Sequence, residues 1–239
     1  MSRVVYKKKI IRAYRDIPVM AINDIPFGAI LNRTPGALSW WPPIERFGIT
    51  ANIGPIRGII PYQRKYFGEH SDYVYSSHSL IHTFLGRYFE TTTPRSRHGI
   101  LTYDNLDPDK VYLICMYQDA EVTTAEGRQV FYDIFKKLDG TGYDYFQLAN
   151  ILIHNELEWP EEKYFSLLDM GKNKKVCSVT AAICWLRFYH LILKKQGIPA
   201  RRPLGKWNAE RVPPCLFESP YYNNGTFKII GRLPSALLD

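Results

Sequence analysis

SSHSLIHTFLGRYFETTTP, running from Ser76 to Pro94, is the stretch on which the fold turns. Its β-branched and aromatic residues fall into two short runs, His78–Phe84 and Tyr88–Thr92, on either side of Gly86. Glycine reaches the positive φ that a tight turn needs, so the stretch predicts a β-hairpin. Two histidines, His78 and His82, share one alternation phase on the first arm, and Glu90 follows on the return arm. A carboxylate and an imidazole on paired strands can orient the ring toward a nucleophile. They can equally form a polar pair on a half-buried sheet.

Working outward, KVYLICMY (Lys110–Tyr117) is almost wholly apolar and predicts a central strand. FGAIL (Phe27–Leu31) reads as a short buried strand and TFKIIGRL as the closing one. TTAEGRQVFYDIFKKLDGTG has helical spacing: Thr123 stands in capping-box relation to Glu126, Val130, Ile134, Phe135 and Leu138 form an apolar stripe, and Gly140 ends it. YFQLANILIHNEL predicts a shorter helix. KNKKVCSVTAAICWLRFYHLILKKQG (Lys172–Gly197) predicts a long core helix beginning near Cys177, with lysines in its last turn and Gly197 as its cap.

Residues 1–25 mix basic and apolar residues and read as an extended N-terminal arm or first strand. A Gly-, Pro- and Trp-rich insertion at about 32–76 reads as loops, with Trp40 and Trp41 as a surface turn or an aromatic wall for substrate. The segment after Gly197 is proline-rich and reads mostly as loop. Strands, then helices, then a strand predict an α+β fold, with one domain over 26–239.

Composition narrows the function classes. The net charge of +8, from 31 basic and 23 acidic residues, suits an acidic partner or a generally basic solvated surface. The basic clusters YKKKIIRAYR, KNKK and ARRPLGK lack the aromatic pattern of a nucleic-acid module, so nucleic acid is not indicated. Ser178, Thr180, Arg187 and His190 interrupt the longest apolar stretch, which predicts a core helix rather than a transmembrane segment. The basic N-terminus has no signal-peptide core, which predicts a cytoplasmic location, or a virion or host cytoplasm for a viral product. Four scattered cysteines (Cys115, Cys177, Cys184, Cys215) form no CxxC, which predicts free thiols and neither a disulfide framework nor a zinc site.

Cys177 is where chemistry concentrates. At a helix start, unpaired backbone N–H groups and the positive dipole end favour a thiolate, and Lys174 and Lys175 add positive charge. Position alone leaves two readings open, a nucleophile or a small buried apolar residue. A nucleophile needs a base, and the base needs an orienting group. Of the other histidines, His154 and His190 fall in predicted helices and His70 and His98 in loops, where structural or solvent-facing roles are expected.

The hairpin resembles the SH-φφφ…G…φEATxP stretch of the circularly permuted NlpC/P60 (papain-like) cysteine hydrolases, the YiiX-like group. KVCSVTAAICWL…KKQGIPAR resembles the later block of that group, where an apolar residue, Cys and Ser open a helix. IPFGAIL is similar to its PGDIL strand, with Ala29 in place of Asp. YDYFQLANIL looks like its tyrosine segment, and KVYLICMY falls between as expected. The order His, acid, Cys is the permuted order.

The resemblance implies a permuted papain-like fold, a central antiparallel sheet packed on a nucleophile-bearing helix. It implies Cys177 as nucleophile, His78 as general base and then acid, and Glu90 as the orienting group. His78 follows Ser77 and precedes Glu90 by twelve, so it matches the pattern better than its rival His82. Tyr143 or Tyr145 corresponds to a tyrosine that helps hold the oxyanion. The implied activity is that of a thiol protease or amidase acting through a thioacyl-enzyme, with no cofactor and no metal. Two other classes remain open: a thiol acyltransferase or lipase-like enzyme on acyl lipids, and a noncatalytic basic binding or virion-associated module.

Overall fold

The computed structural model describes residues 3–34, 63–92, 95–142 and 175–238. The aromatic pair Trp40–Trp41, most of the loop-rich insertion, the expected helix Tyr145–Leu157 with His154, and Tyr143 lie outside the described residues.

A six-stranded antiparallel sheet organises the chain: β1 (Ile30–Arg33), β2 (His78–Phe84), β3 (Arg87–Glu90), β4 (Arg97–Ile100), β5 (Tyr112–Tyr117) and β6 (Phe227–Arg232), in the order β4-β3-β2-β1-β5-β6. The fold is thus α+β, as expected. β2 and β3 form the predicted hairpin, and the turn carries Leu85 and Gly86 at φ of 47° and 74°. β5 is buried along its whole length and lies inside the sheet between β1 and β6, as its apolar run predicts.

Two of the described helices follow β5 and pack against the sheet. Helix α2 (Ala125–Leu138) buries Val130, Phe131, Ile134, Phe135 and Leu138. Its cap is Thr124, whose hydroxyl accepts from the Gly127 N–H, rather than the Thr123–Glu126 box the spacing suggested. Helix α3 (Cys177–Phe188) opens at Cys177, widens into π-helical turns over Tyr189–Lys194, and stops where Gly197 adopts φ 69°.

The N-terminal segment corrects the expectation of an extended arm or strand. Arg3–Tyr14 is a helix, α1, and its Ile10 and Tyr14, one turn apart, are buried in the same core as the sheet. The i, i+4 apolar spacing outweighs the local mixture of β-branched and basic residues. Tyr14 also donates its hydroxyl to the buried Glu218 carboxyl group, which ties α1 to the region after α3. Among the described residues no helix is long and apolar enough to cross a membrane.

Candidate active site

Three separate parts of the chain converge at one end of the hairpin. His78 is the first residue of β2 and pairs with Arg33, the last residue of β1. Glu90 is the last residue of β3, so both lie at the end of the hairpin away from its turn. Their side chains meet there, His78 Nε2 lying 3.0 Å from Glu90 Oε2. The carboxylate accepts from His78 Nε2–H, because an ionised carboxylate has no proton to give.

Glu90 is held from two further sides. Arg97, directly opposite it on β4, donates Nε–H to Oε1 at 3.0 Å. Arg33 Nη2 lies 3.8 Å from Oε2. Burial alone would push this carboxyl upward. The hydrogen bond and charge of His78, with the charge of Arg33 and the bond from Arg97, override that and hold it at about 2. Glu90 is therefore a fixed anion at any working pH.

Cys177 is the first residue of α3, following the cap residue Val176. Its sulfur lies near enough to the His78 ring to act on it electrostatically. With Nε2 engaged by Glu90, Nδ1 is the ring nitrogen left for the sulfur. A Glu90-directed Nε2–H leaves Nδ1 as acceptor in the neutral ring, the tautomer that takes a thiol proton. Burial pulls the His78 pKa down, yet the charge of a Cys177 thiolate beside the ring and the hydrogen bond to Glu90 outweigh burial and the opposing Arg33, so the net shift is upward.

Contacts away from the sulfur fix the helix against the sheet. Thr180, on the first turn of α3, meets the hydroxyl of Thr91, the residue after Glu90, at 2.9 Å. Trp185 donates its indole N–H to the Gly28 carbonyl at 3.0 Å, in a buried cluster with Tyr117, Phe131, Phe188 and Phe227. Cys177 is 3% exposed, but unlike Cys115, Cys184 and Cys215 it is not part of the hydrophobic core cluster of the described residues. Burial raises those three thiols, so they are inert packing.

His82, the rival base, is otherwise employed. Its Nδ1–H donates to the Pro26 carbonyl at 3.0 Å and its Nε2 accepts from the Gly86 N–H at 3.1 Å. Both ring nitrogens are used, the ring is 1% exposed, and burial lowers its pKa, so it stays neutral and holds the turn. Lys175 is paired with Glu210 at 3.0 Å, which offsets the positive charge it was expected to lend the thiol; Lys174 lies outside the described residues. His98 packs its ring against Phe89 and Phe135, and His70 lies against Tyr221.

Sequence reasoning missed Arg33 and Arg97. Arg97 lies seven residues after Glu90, and only the β3–β4 pairing brings it opposite. All four cysteines are free thiols. Among the described residues no group of three or more His, Cys, Asp or Glu side chains is placed to hold a metal ion.

Chemically, the arrangement is a thiol at the positive end of a helix, an imidazole beside it, and a buried carboxylate on the far ring nitrogen. Such a relay can move one proton off the sulfur and return it to a leaving group. Compared with known proteins, the chain matches no family model and no curated protein.

Proposed function

We propose that this protein is a cysteine hydrolase of the permuted papain-like type, cleaving peptide-type amide bonds through a thioacyl-enzyme. The observation that carries this reading is the convergence of Cys177 and Glu90 on one imidazole: Glu90 Oε2 lies 3.0 Å from His78 Nε2, and Cys177 lies near enough to raise the ring's pKa.

His78 Nδ1 takes the proton of Cys177, and the Sγ electron pair attacks the substrate carbonyl carbon. The positive end of α3 stabilises both the thiolate and the negative charge that develops on the carbonyl oxygen. As the tetrahedral intermediate collapses, His78 gives its proton to the leaving nitrogen, and the C–N bond breaks. Water, deprotonated by His78, then attacks the thioester and releases the acid, returning the proton to sulfur. Glu90 holds the ring in register throughout and stabilises its cationic form without accepting the proton.

The test is product mass after incubation of the protein with peptidoglycan fragments, with peptides and with phospholipid, beside Cys177→Ala. Amide cleavage by the wild type and none by the variant supports the reading, as does a mass adduct on Cys177. Ester cleavage alone would move the assignment to acyl lipids. Identical inactivity of both proteins on every substrate class counts against catalysis.

A further inference from the structure

At the opposite end of the hairpin from His78, the turn presents an unusual residue. Leu85 occupies a left-handed conformation, φ 47°, where Gly or Asn sits at lower cost. Burial does not offset that cost, because Leu85 is 59% exposed and the preceding Phe84 is 58% exposed. Ile100 of β4 and Tyr132 of α2, also exposed, join them around one groove of about 700 Å³. Thr83, Arg87, His98 and Gly99 complete its lining, which contains no carboxylate.

Positive charge extends beyond the groove. Arg128 and Lys136 are exposed and lie one helical turn on either side of Tyr132, hence on its face of α2. The nearest acid on that helix, Asp133, is engaged by Gln129. Large apolar side chains exposed together at a turn and rimmed by cations mark an interaction surface. The turn offers two adjacent exposed apolar side chains, which suits insertion into a soft medium. The basic rim selects for negative headgroups.

We propose that this tip docks onto the surface of an anionic lipid bilayer. Phe84 and Leu85 enter the acyl boundary, Ile100 and Tyr132 lie at its edge, and Arg87, Arg128 and Lys136 face the headgroup phosphates. The seven residues of β2 set His78 roughly 20 Å from the tip, so the docked protein holds Cys177 away from the membrane surface.

The experiment is co-sedimentation of the full chain with vesicles of phosphatidylcholine alone and of equal parts phosphatidylcholine and phosphatidylglycerol. Binding to the mixed vesicles only, weakening with added salt, is expected. The double variant Phe84→Thr, Leu85→Asn suits both the strand and the left-handed position, so it keeps its thermal midpoint while affinity falls about tenfold or more. Arg128→Gln with Lys136→Gln lowers affinity by a similar factor. The proposal is overturned if the wild type ignores anionic vesicles or if the double variant binds as well as wild type. It is equally overturned if the wild type is a dimer that the double variant dissociates, which would make the tip a protein interface.

Discussion

Arg97 and His78 divide the Glu90 carboxylate between them: Arg97 Nε lies 3.0 Å from Oε1 and His78 Nε2 lies 3.0 Å from Oε2. The carboxylate cannot rotate to favour one partner without abandoning the other, so the imidazole plane is fixed by a strand that neither flanks His78 nor carries the sulfur. β4 is in this sense part of the site.

That division has a pH signature. The Glu90 pKa falls from 4.5 to about 2 on folding, so its contribution to stability is present above pH 4.5 and is lost as pH drops toward 2. Allowing for the solvent around Arg97, the contribution is about 2 kcal/mol. His78 behaves in the opposite sense: its raised pKa stabilises the fold below 6.5, and that part is lost as pH rises through the folded value. Urea unfolding of Glu90→Gln should show a flatter acid limb between pH 4.5 and 2 than wild type. Parallel curves for the two proteins would contradict the assignment.

Thiol reactivity separates Cys177 from the rest. In the folded protein at neutral pH, iodoacetamide should label Cys177 at least about a hundredfold faster than Cys115, Cys184 or Cys215, whose thiols burial has raised. His78→Ala should slow that labelling about tenfold or more. Glu90→Gln should slow it too, since an amide N–H pointed at Nε2 favours the tautomer with its proton on Nδ1, against the sulfur. Mass spectrometry of the alkylated peptides reads all four sites at once. Equal labelling of Cys177 and Cys184 would remove the nucleophile from the scheme.

A second buried carboxyl has the reverse behaviour. Glu218 is fully buried, accepts from Asn32 Nδ2 at 2.7 Å and from the Tyr14 hydroxyl at 3.3 Å, and has no cation among these partners. Burial outweighs these hydrogen bonds and pushes its pKa from 4.5 up to about 8. The folded state therefore binds a proton that the unfolded chain has released, and stability falls as pH rises from 4.5 to about 8. The loss is on the order of 4 kcal/mol. Glu218→Gln keeps an acceptor for Asn32 and cannot ionise, so its unfolding free energy should lack this slope. A variant that loses stability in parallel with wild type over that range would show that Glu218 is ionised when buried.

Sequence patterning carried the hairpin, β5, α2 and the start of α3 because each depends on local periodicity or a local stop signal. β2 begins and ends at His78 and Phe84, the bounds of the β-branched and aromatic run. Cys177 was legible as a helix start, and its link to His78 and Glu90 came from resemblance rather than spacing. What remained hidden is non-local. β4, with the polar and flexible run Arg97-His98-Gly99, has little strand preference of its own and is a strand because β3 offers it an edge. The Arg33 and Arg97 clamp exists only through cross-strand register. Glu218 lies in a proline-rich stretch that reads as surface loop, yet packs under α1 against the sheet.

Placement of the sulfur depends finally on a glycine on the other side of the core. Gly28 has φ 81°, and its carbonyl accepts the Trp185 indole N–H. A Cβ added there would lie 3.0 Å from Trp185 Cζ2 and 3.5 Å from the Phe131 ring, both fully buried. Gly28→Ala combines the left-handed penalty with overpacking, about 2 kcal/mol together, or a midpoint lower by about 5 °C for a chain of this size. Because Trp185 lies two turns along α3 from Cys177, the displaced indole should also shift the helix start relative to His78. The expected result is a lower thermal midpoint accompanied by slower Cys177 alkylation in the still-folded protein. A destabilised variant whose Cys177 reacts at the wild-type rate would show that the helix is positioned by Thr91 and Thr180 alone.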